Sequence, residues 1–193
     1  MGISVTEPSV EPVSVAEAKA HLRVTASDDD TYIGNLIKAA RQRAEAYMNR
    51  SIVTQVVTYT IDAFPSEIIL PRAPVQSVTS IQYVDDNGST QSFTDFQSDL
   101  TNAAMPMVKP AYGYSWPSTR DQYGAVTVTY TAGYGGGDSP DTSSSIPEPI
   151  RQAILLMVGT MYEYREEVQT GQPSQELPFT AKNLLHPYRV AIV

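Results

Sequence analysis

The stretch DDDTYIGNLIKAARQRAEAYMNRSIVTQVVTYTID, residues 28–62, contains a change of hydrophobic period that decides the fold class. Up to Met48, apolar residues recur at three- and four-residue spacing, which is typical of one face of an amphipathic helix. These residues are Ile33, Leu36, Ile37, Ala40, Ala44, Tyr47 and Met48. From Ser51 the period becomes two, with one apolar and one threonine face, as in a half-buried strand. The apolar face comprises Val53, Val57, Tyr59 and Ile61, and the other Thr54, Thr58 and Thr60. A helix followed directly by a strand predicts an α+β fold.

Two helix starts are predicted before this switch. Ser14 and Glu17 have the spacing of a capping box, and Ser27 is a suitable N-cap for the second helix. Three acids follow Ser27, namely Asp28, Asp29 and Asp30. They either complement the positive end of the helix dipole or form a metal site. Three adjacent side chains on a helix point in different directions, so the dipole interpretation is favoured.

Four basic residues occupy the later half of the second helix: Lys38, Arg41, Arg43 and Arg50. We expect them to form a solvated face near the negative end of the helix dipole. A partner-binding patch is the alternative.

Residues 51–145 are predicted to form a β-rich insertion. EIIL (67–70) is a short strand at most, since prolines surround it. Asn87-Gly88 lies between two strand-like runs and predicts a type I′ hairpin. AVTVTYTA (125–132) has strong β-propensity. The polar, Gly- and Ser-rich stretch that follows, residues 133–145, is predicted to be a flexible connector.

A third helix is predicted from IPEPIRQAILLMVGTMYEYREE, residues 146–167, ending near Val168. Ser145 and Glu148 are a candidate capping box for its start. In the tail, FTAKNLLHPYRV (179–190) predicts one short helix that stops at His186-Pro187. The predicted plan is one domain with a small framework of two N-terminal helices (1–50) and one long C-terminal helix (146–170). The β-rich insertion (51–145) lies between them, and a C-terminal tail (171–193) ends the chain.

Composition and charge restrict the function. The chain has 193 residues, no cysteine and a net charge of −8. Residues 51–149 hold ten acids and three bases, which accounts for most of that charge. Affinity for DNA phosphates depends on clustered Lys and Arg, so a DNA-gripping protein is not expected. Because no signal peptide or membrane-spanning run is visible, we expect a soluble protein made in the cytoplasm.

The sequence offers little chemistry. The two histidines, His21 and His186, have no ligand partner at metal-site spacing, and no nucleophile motif is present. We therefore expect no enzyme, no metal and no cofactor. Aromatic residues and Arg cluster in AYGYSWPSTRDQYG, residues 111–124, a composition that protein interfaces favour. An ordinary core and loop, or a sugar-binding platform on Trp116, are the alternatives.

Six stretches in order resemble the head–tail connector family of tailed bacteriophages, also called adaptor or head-completion proteins. They cover about residues 11–190: EPVSVAEAKAHLRV, DDDTYIGNLIKAARQRAEAYMNRSI, LPRAPVQSVTSIQYVDDNG, YGYSWPSTRDQYGAVTVTYTAGYG, IPEPIRQAILLMVGTMYEYREE and LPFTAKNLLHPYRV. The resemblance implies a structural virion protein in the neck, below the portal vertex. It implies a ring, expected to be a dodecamer, that docks under the portal of the DNA-filled head. The ring extends the DNA channel and carries the stopper or the tail.

The resemblance also implies roles for residues. Near the C-terminus it implies a portal-binding segment: Leu184, Leu185, Pro187, Tyr188 and Arg189. A tail that folds back over its own helices is the alternative. For the aromatic cluster, we expect from its composition a contact with the next neck or tail protein through Tyr112, Tyr114, Trp116 and Arg120.

The third helix is apolar all the way round in its middle. A ring closes through heterologous contacts, which require apolar surface on more than one side of each subunit. We therefore expect inter-subunit contacts from Leu155, Leu156, Met157, Val158, Met161 and Tyr162. Genomic DNA is expected to pass the acidic ring without sequence-specific binding. The alternatives to this function are a neck or tail-completion protein that does not bind the portal and a carbohydrate-binding module.

Overall fold

The computed structural model describes residues 1–135, 145–165 and 179–190. The chain is α+β, with four α-helices and two antiparallel sheets among these residues. It divides into two compact units. The β unit consists of residues 1–8 and 54–134, and the helical unit consists of residues 9–53 and 135–193.

The β unit contains eight strands. In chain order they are β1 (Gly2–Val5), β2 (Gln55–Ile61), β3 (Ile68–Ile69), β4 (Val75–Val84), β5 (Thr90–Ser92), β6 (Phe96–Asp99), β7 (Met107–Pro110) and β8 (Val126–Ala132). The larger sheet has the order β1-β2-β8-β4-β5, and the smaller one has the order β3-β7-β6. The predicted strands at 67–70 and 125–132 are confirmed as β3 and β8.

Alternation of apolar and polar residues builds the core of this unit. In β2 and β8 every second residue is buried, as the period of two predicts. Both sheets contribute to one apolar cluster, in which β3 and β7 supply Ile68 and Val108 to residues of the larger sheet such as Tyr59, Ile81 and Val128. The two sheets are therefore held by one shared core.

Strand β1 was not predicted, and the expectation that the first fifty residues are helical is wrong at their beginning. β1 pairs with β2 in antiparallel register from Gly2↔Thr60 to Val5↔Val57. Its residues are mostly exposed, so it has no clear apolar alternation. Its partner lies far along the chain, and a local pattern does not reveal such a pairing.

The hairpin between β4 and β5 is confirmed, but the predicted type I′ turn is wrong. A type I′ turn needs positive φ at both central residues. Here Gly88 has φ 84°, whereas Asn87 is not in the left-handed region. The Gly88 amide donates to the Asp85 carbonyl, and the Asp85 amide donates to the Ser89 carbonyl. The loop is therefore a three-residue connection that ends in a left-handed glycine.

The helical unit contains α1 (Val15–Leu22), α2 (Asp30–Met48), α3 (Glu148–Glu163) and α4 (Phe179–Leu185), followed by a 3-10 turn (His186–Tyr188). Helix α2 contacts each of the other three helices, and α3 contacts α1 and α4. The buried side of α2 includes Ile33, Ile37, Ala40, Ala44 and Met48. None of the described helices combines the length and the apolarity needed to cross a membrane.

One of the three predicted helix caps is confirmed. At α1, the Glu17 amide donates to Ser14 Oγ at 3.1 Å and the Ser14 amide donates to Glu17 Oε2 at 2.8 Å, which is the predicted capping box. Helix α2 begins later than predicted, with Asp29 and not Ser27 as N-cap, and without a side-chain cap bond. Helix α3 begins after Pro147, so the predicted cap by Ser145 is wrong.

Helix α3 ends at Glu163, with Tyr164 as its C-cap, and therefore stops short of the predicted end near Val168. Val168 itself and most of the predicted connector at 133–145 lie outside the described residues. The short helix predicted before His186-Pro187 is confirmed as α4.

The predicted solvated basic face of α2 is wrong for two of its four residues. Arg41 is only 2% exposed. Its Nε is 2.7 Å from Glu11 Oε2, and its Nη1 is 3.0 Å from Glu45 Oε2. Arg50 is also buried. A buried guanidinium needs acceptors for its donors, and Glu11 supplies them from thirty positions away in the sequence.

Candidate functional site

The described residues hold no group of three or more His, Asp or Glu side chains that could bind a metal ion. The acids after Ser27 are used otherwise: Asp30 pairs with Lys19 at 2.7 Å. Of the histidines, His21 packs beside α3, where a methyl group at Gly159 would lie 3.5 Å from its Nε2. His186 Nδ1 is 3.4 Å from the Tyr47 hydroxyl. The candidates for function are therefore surfaces.

The C-terminal segment, residues 179–190, combines buried and exposed side chains. Ala181 and Leu185 are both 0% exposed. Leu184 and Tyr188 are half-buried, whereas Pro187 and Arg189 are exposed. Leu185, which was expected to contact a portal, is covered within the chain, because an amphipathic helix turns this residue into the core of its own unit.

The C-terminus of α2 fixes the end of that segment. Arg50 Nε donates to the Tyr188 carbonyl at 2.5 Å, and Asn49 Nδ2 donates to the Val190 carbonyl at 3.0 Å. The Val190 amide in turn donates to the Met48 carbonyl at 2.9 Å. Asn49 can occupy this place because it adopts the left-handed conformation (φ 54°) that commonly ends a helix. These bonds favour the alternative in which the tail folds back over its own helices.

The residues of α3 that were predicted to contact a second subunit fall into two groups, one buried and one half-buried. Leu155, Met157 and Val158 are buried within the single chain. Their apolar character therefore reflects the core, and it gives no argument for a contact with a second subunit. Leu156, Met161 and Tyr162 remain half-buried. Only these three of the predicted contact residues keep accessible surface.

Tyr162 has a further contact that sequence reasoning missed. Asp29 Oδ2 accepts from the Tyr162 hydroxyl at 2.6 Å and from Arg165 Nη2 at 3.0 Å. The Arg165 guanidinium lies over the rings of Tyr32 and Tyr162, at 4.9 and 4.8 Å from their centroids. The hydrogen bond from Tyr162, together with the one from Arg165, lowers the pKa of Asp29. The same bond raises the pKa of Tyr162. This cluster ties the end of α3 to the start of α2.

The aromatic loop, residues 111–124, has a packed part and an exposed part. Trp116 is stacked on Phe64, with ring centroids 4.4 Å apart and an angle of 6° between the planes. Its ring centroid is 5.0 Å from that of Phe93. Its Nε1 donates to the Ser66 carbonyl at 3.3 Å. One face of the indole is thus covered, which favours the core-and-loop interpretation for this residue over a sugar platform.

The rest of the loop presents tyrosines to solvent. Tyr112 is 99% exposed and Tyr114 is 58% exposed. Arg120 is exposed too, while its backbone amide is held by the Val84 carbonyl at 3.0 Å. Sequence reasoning did not select Tyr123, which is 94% exposed and belongs to the same loop. Its presence in the quoted aromatic stretch was the signal that could have identified it.

A groove of about 500 Å³ lies in the helical unit beside residues 10–15, with Gly34 and Ile37 of α2 in its lining. Its two carboxylates already have cationic partners. Glu11 binds Arg41, and Glu17 binds Arg151. The groove therefore has no uncompensated charge with which to select a charged ligand.

Comparison with known proteins identifies the family. The family model described as "Head completion protein" matches residues 11–191. A chain from the neck of an empty gene transfer agent (GTA) particle, computed with C6 symmetry, is 24% identical, with a TM-score of 0.77 over 98% of this chain and 97% of that one. A chain from the virion of a native GTA particle is 23% identical, with a TM-score of 0.75 over 98% and 96%. A chain from the neck of the native particle, computed with C12 symmetry, is 24% identical, with a TM-score of 0.72 over 100% and 97%.

At these identities the solved structures establish a shared fold. No curated protein matches the chain significantly. The family model, in contrast, spans nearly the whole sequence, and it confirms the predicted resemblance. This chain belongs to the head completion protein family.

Proposed function

We propose that the protein is a structural component of the head–tail neck of a tailed-phage-like particle. It assembles as a ring, a dodecamer, beneath the portal vertex of the DNA-filled head. There it extends the DNA channel and gives the stopper or tail a surface to attach to. The observation that carries the proposal is the match of residues 11–191 to the head completion family.

Two further observations support a ring in the neck. Chains of similar fold belong to GTA necks that were computed with C6 and C12 symmetry. A ring also agrees with the charge of the chain, −8 in total. Repeated around a channel, acidic residues repel DNA phosphates and leave the genome free to move. In this proposal the genomic DNA moves through the ring without being bound by it.

Two surfaces are assigned to two different partners. The exposed and half-buried residues of the C-terminal segment (Leu184, Pro187, Tyr188 and Arg189) face the portal. The exposed residues of the aromatic loop (Tyr112, Tyr114 and Arg120) face the next neck protein. Tyrosine and arginine are enriched at protein interfaces, which supports the second assignment. Between subunits, the accessible candidates on α3 are Leu156, Met161 and Tyr162.

Imaging of the portal vertex tests the proposal. Purified protein is mixed with portal-bearing, DNA-filled heads, and the vertex is reconstructed by electron cryo-microscopy. We expect a ring of new density directly below the portal. Heads without a portal are the control and should gain none.

Two outcomes would contradict it. Protein that joins tails but leaves the portal bare would establish instead a neck or tail-completion protein that does not bind the portal. Protein that joins neither heads nor tails would remove the neck function altogether.

A further inference from the structure

The C-terminal segment is held by two independent sets of contacts. Its buried side chains, Ala181 and Leu185, anchor α4 in the helical core. Beyond α4, the side chains of Asn49 and Arg50 bind the carbonyls of Val190 and Tyr188. A segment held at both places has a defined backbone before any partner arrives.

The exposed side of this segment has an aromatic and cationic character. The Arg189 guanidinium lies over the Tyr47 ring, 5.6 Å from its centroid. The Tyr47 hydroxyl is near His186 as well. Residues 46–50 and 179–190 contain no Asp or Glu, although the chain as a whole is acidic. Tyr47 thus orients the positive charge of Arg189, for which the described residues supply no ion pair.

We propose that Asn49 and Arg50 are positioning residues, and that they hold residues 186–190 as a preformed docking surface made of Tyr47, Pro187, Tyr188 and Arg189. This C-terminal docking surface binds a protein surface that presents carboxylates. The inference rests on the proposed function, in which the partner is the portal protein. It adds the chemistry of the contact and the residues that shape it.

Preformation has a measurable advantage. A flexible tail would have to lose backbone and side-chain freedom on binding, and this ordering weakens affinity. Here the α2 terminus has already ordered the backbone during folding. Removing the two side-chain bonds should therefore weaken docking without removing any residue that touches the partner.

A protein partner fits the surface better than DNA does. Binding to phosphates needs several clustered Lys or Arg side chains, and Arg189 is accompanied here by tyrosines and a proline. Such a mixture of aromatic residues with arginine is typical of the centre of a protein interface. A planar guanidinium also matches a carboxylate in a bidentate geometry.

The first test uses the double variant Asn49→Gly/Arg50→Met. Glycine keeps the left-handed conformation of residue 49, and methionine keeps an apolar stem at residue 50. Circular dichroism should show a folded protein, while hydrogen exchange at the Arg189 and Val190 amides should become faster. Affinity for portal-bearing, DNA-filled heads, measured by co-sedimentation, should fall by about tenfold. Asn49→Gly alone provides the milder variant if the double variant does not fold.

Matched controls separate position from charge. Arg43→Met removes an exposed arginine one helical turn before Tyr47 and should change affinity less than about twofold. Arg189→Glu should weaken attachment by more than about tenfold, and added salt should then partly restore it, because salt screens the repulsion between the introduced carboxylate and those of the partner.

Each contrary outcome is decisive. If exchange at Arg189 and Val190 is unchanged in the double variant, Asn49 and Arg50 do not position the segment. Faster exchange with wild-type affinity would show that preformation is irrelevant to docking. Attachment to filled heads but not to emptied heads with the same portal would make DNA phosphate the ligand and overturn the carboxylate partner. If wild-type protein binds neither kind of head, the proposed function and the partner fail together, and the exchange rates still decide the positioning role.

Discussion

The C-terminal segment and the aromatic loop were both expected to make contacts outside the chain, and the structure builds them in opposite ways. In the segment at 179–190, the buried side chains are apolar, and the backbone is bound by the side chains of Asn49 and Arg50. In the loop at 111–124, one large aromatic residue, Trp116, is packed while the tyrosines on either side of it are exposed. The first surface is thus defined by its backbone and the second by its side chains. Contacts of the first surface therefore depend on residues that hold its backbone, whereas contacts of the second depend on its exposed side chains.

The largest expected effect concerns Leu185 in the C-terminal segment. Leu185→Ala should lower the free energy of unfolding by about 2–5 kcal/mol, because it leaves a cavity at a fully buried site. Leu184→Ala, at the half-buried neighbour, should cost less than about 1 kcal/mol. Urea denaturation followed by circular dichroism measures both. If both variants lost the same free energy of unfolding, α4 would not be anchored by one buried face. The segment would then not differ from the loop in the way described above.

In the loop, too, a substitution at the packed residue should cost more stability than one at an exposed residue, although the difference should be smaller. Trp116→Ala removes the stack on Phe64, and we expect a loss of about 2 kcal/mol, below the value for a fully buried aromatic residue. Tyr112→Ala should change stability by no more than about 0.5 kcal/mol. Tryptophan fluorescence is lost in the first variant, so unfolding is followed by circular dichroism in both. A large loss in Tyr112→Ala would show that the tyrosine is structural and not available to a partner.

The smallest expected effect is a change in the pH dependence of stability, and it concerns the cluster of Asp29, Tyr162 and Arg165. Unlike Leu185 and Trp116, this cluster stabilises the fold through hydrogen bonds at an accessible site. The hydrogen bond from Tyr162 and that from Arg165 lower the pKa of Asp29 in the folded state. The resulting stabilisation is present above the pKa of the unfolded chain, about 3.9, and is lost as the pH falls through the lowered value. Tyr162→Phe should flatten the loss of thermal stability between about pH 4 and pH 2. Tyr164→Phe, at an exposed tyrosine two positions on, should keep the wild-type profile, and an identical profile for both variants would contradict the role of Tyr162.

Local patterns predicted most of the secondary structure. The alternation around Val57 and Tyr59 identified β2, and the three- to four-residue spacing identified α2, since both periods arise from the backbone itself. The capping box at Ser14 was equally readable, because its two partners are three residues apart. Loop 111–124 was selected by composition, and its exposed tyrosines were within that selection.

The turn at Asn87-Gly88 and the caps at Ser27 and Ser145 failed locally, whereas three other failures involve partners that are distant in sequence. Arg41 was predicted to be a surface residue because its partner Glu11 lies thirty positions away and no local pattern indicates the pairing. The contacts of Tyr162 and Arg165 were missed because their common partner, Asp29, lies 133 and 136 positions away in the sequence. Leu155, Met157 and Val158 looked like surplus apolar surface because the helices that cover them lie elsewhere in the chain. In each case a tertiary contact overrode the local signal.

The two units alternate along the sequence, and this restricts how either unit could be replaced by that of a related protein. Strand β1 belongs to the β unit, yet residues 9–53, which belong to the helical unit, separate it from β2 in the sequence. A chimera that transplants residues 54–134 alone would leave the recipient's β1 facing a foreign β2, whose register from Gly2↔Thr60 to Val5↔Val57 it must reproduce. During translation, β1 leaves the ribosome long before its partner strand, and α2 is complete before α3 and α4 exist. The β unit therefore cannot form its larger sheet until β2 and β8 have been made, and the helical unit cannot complete its packing until α3 and α4 have been made.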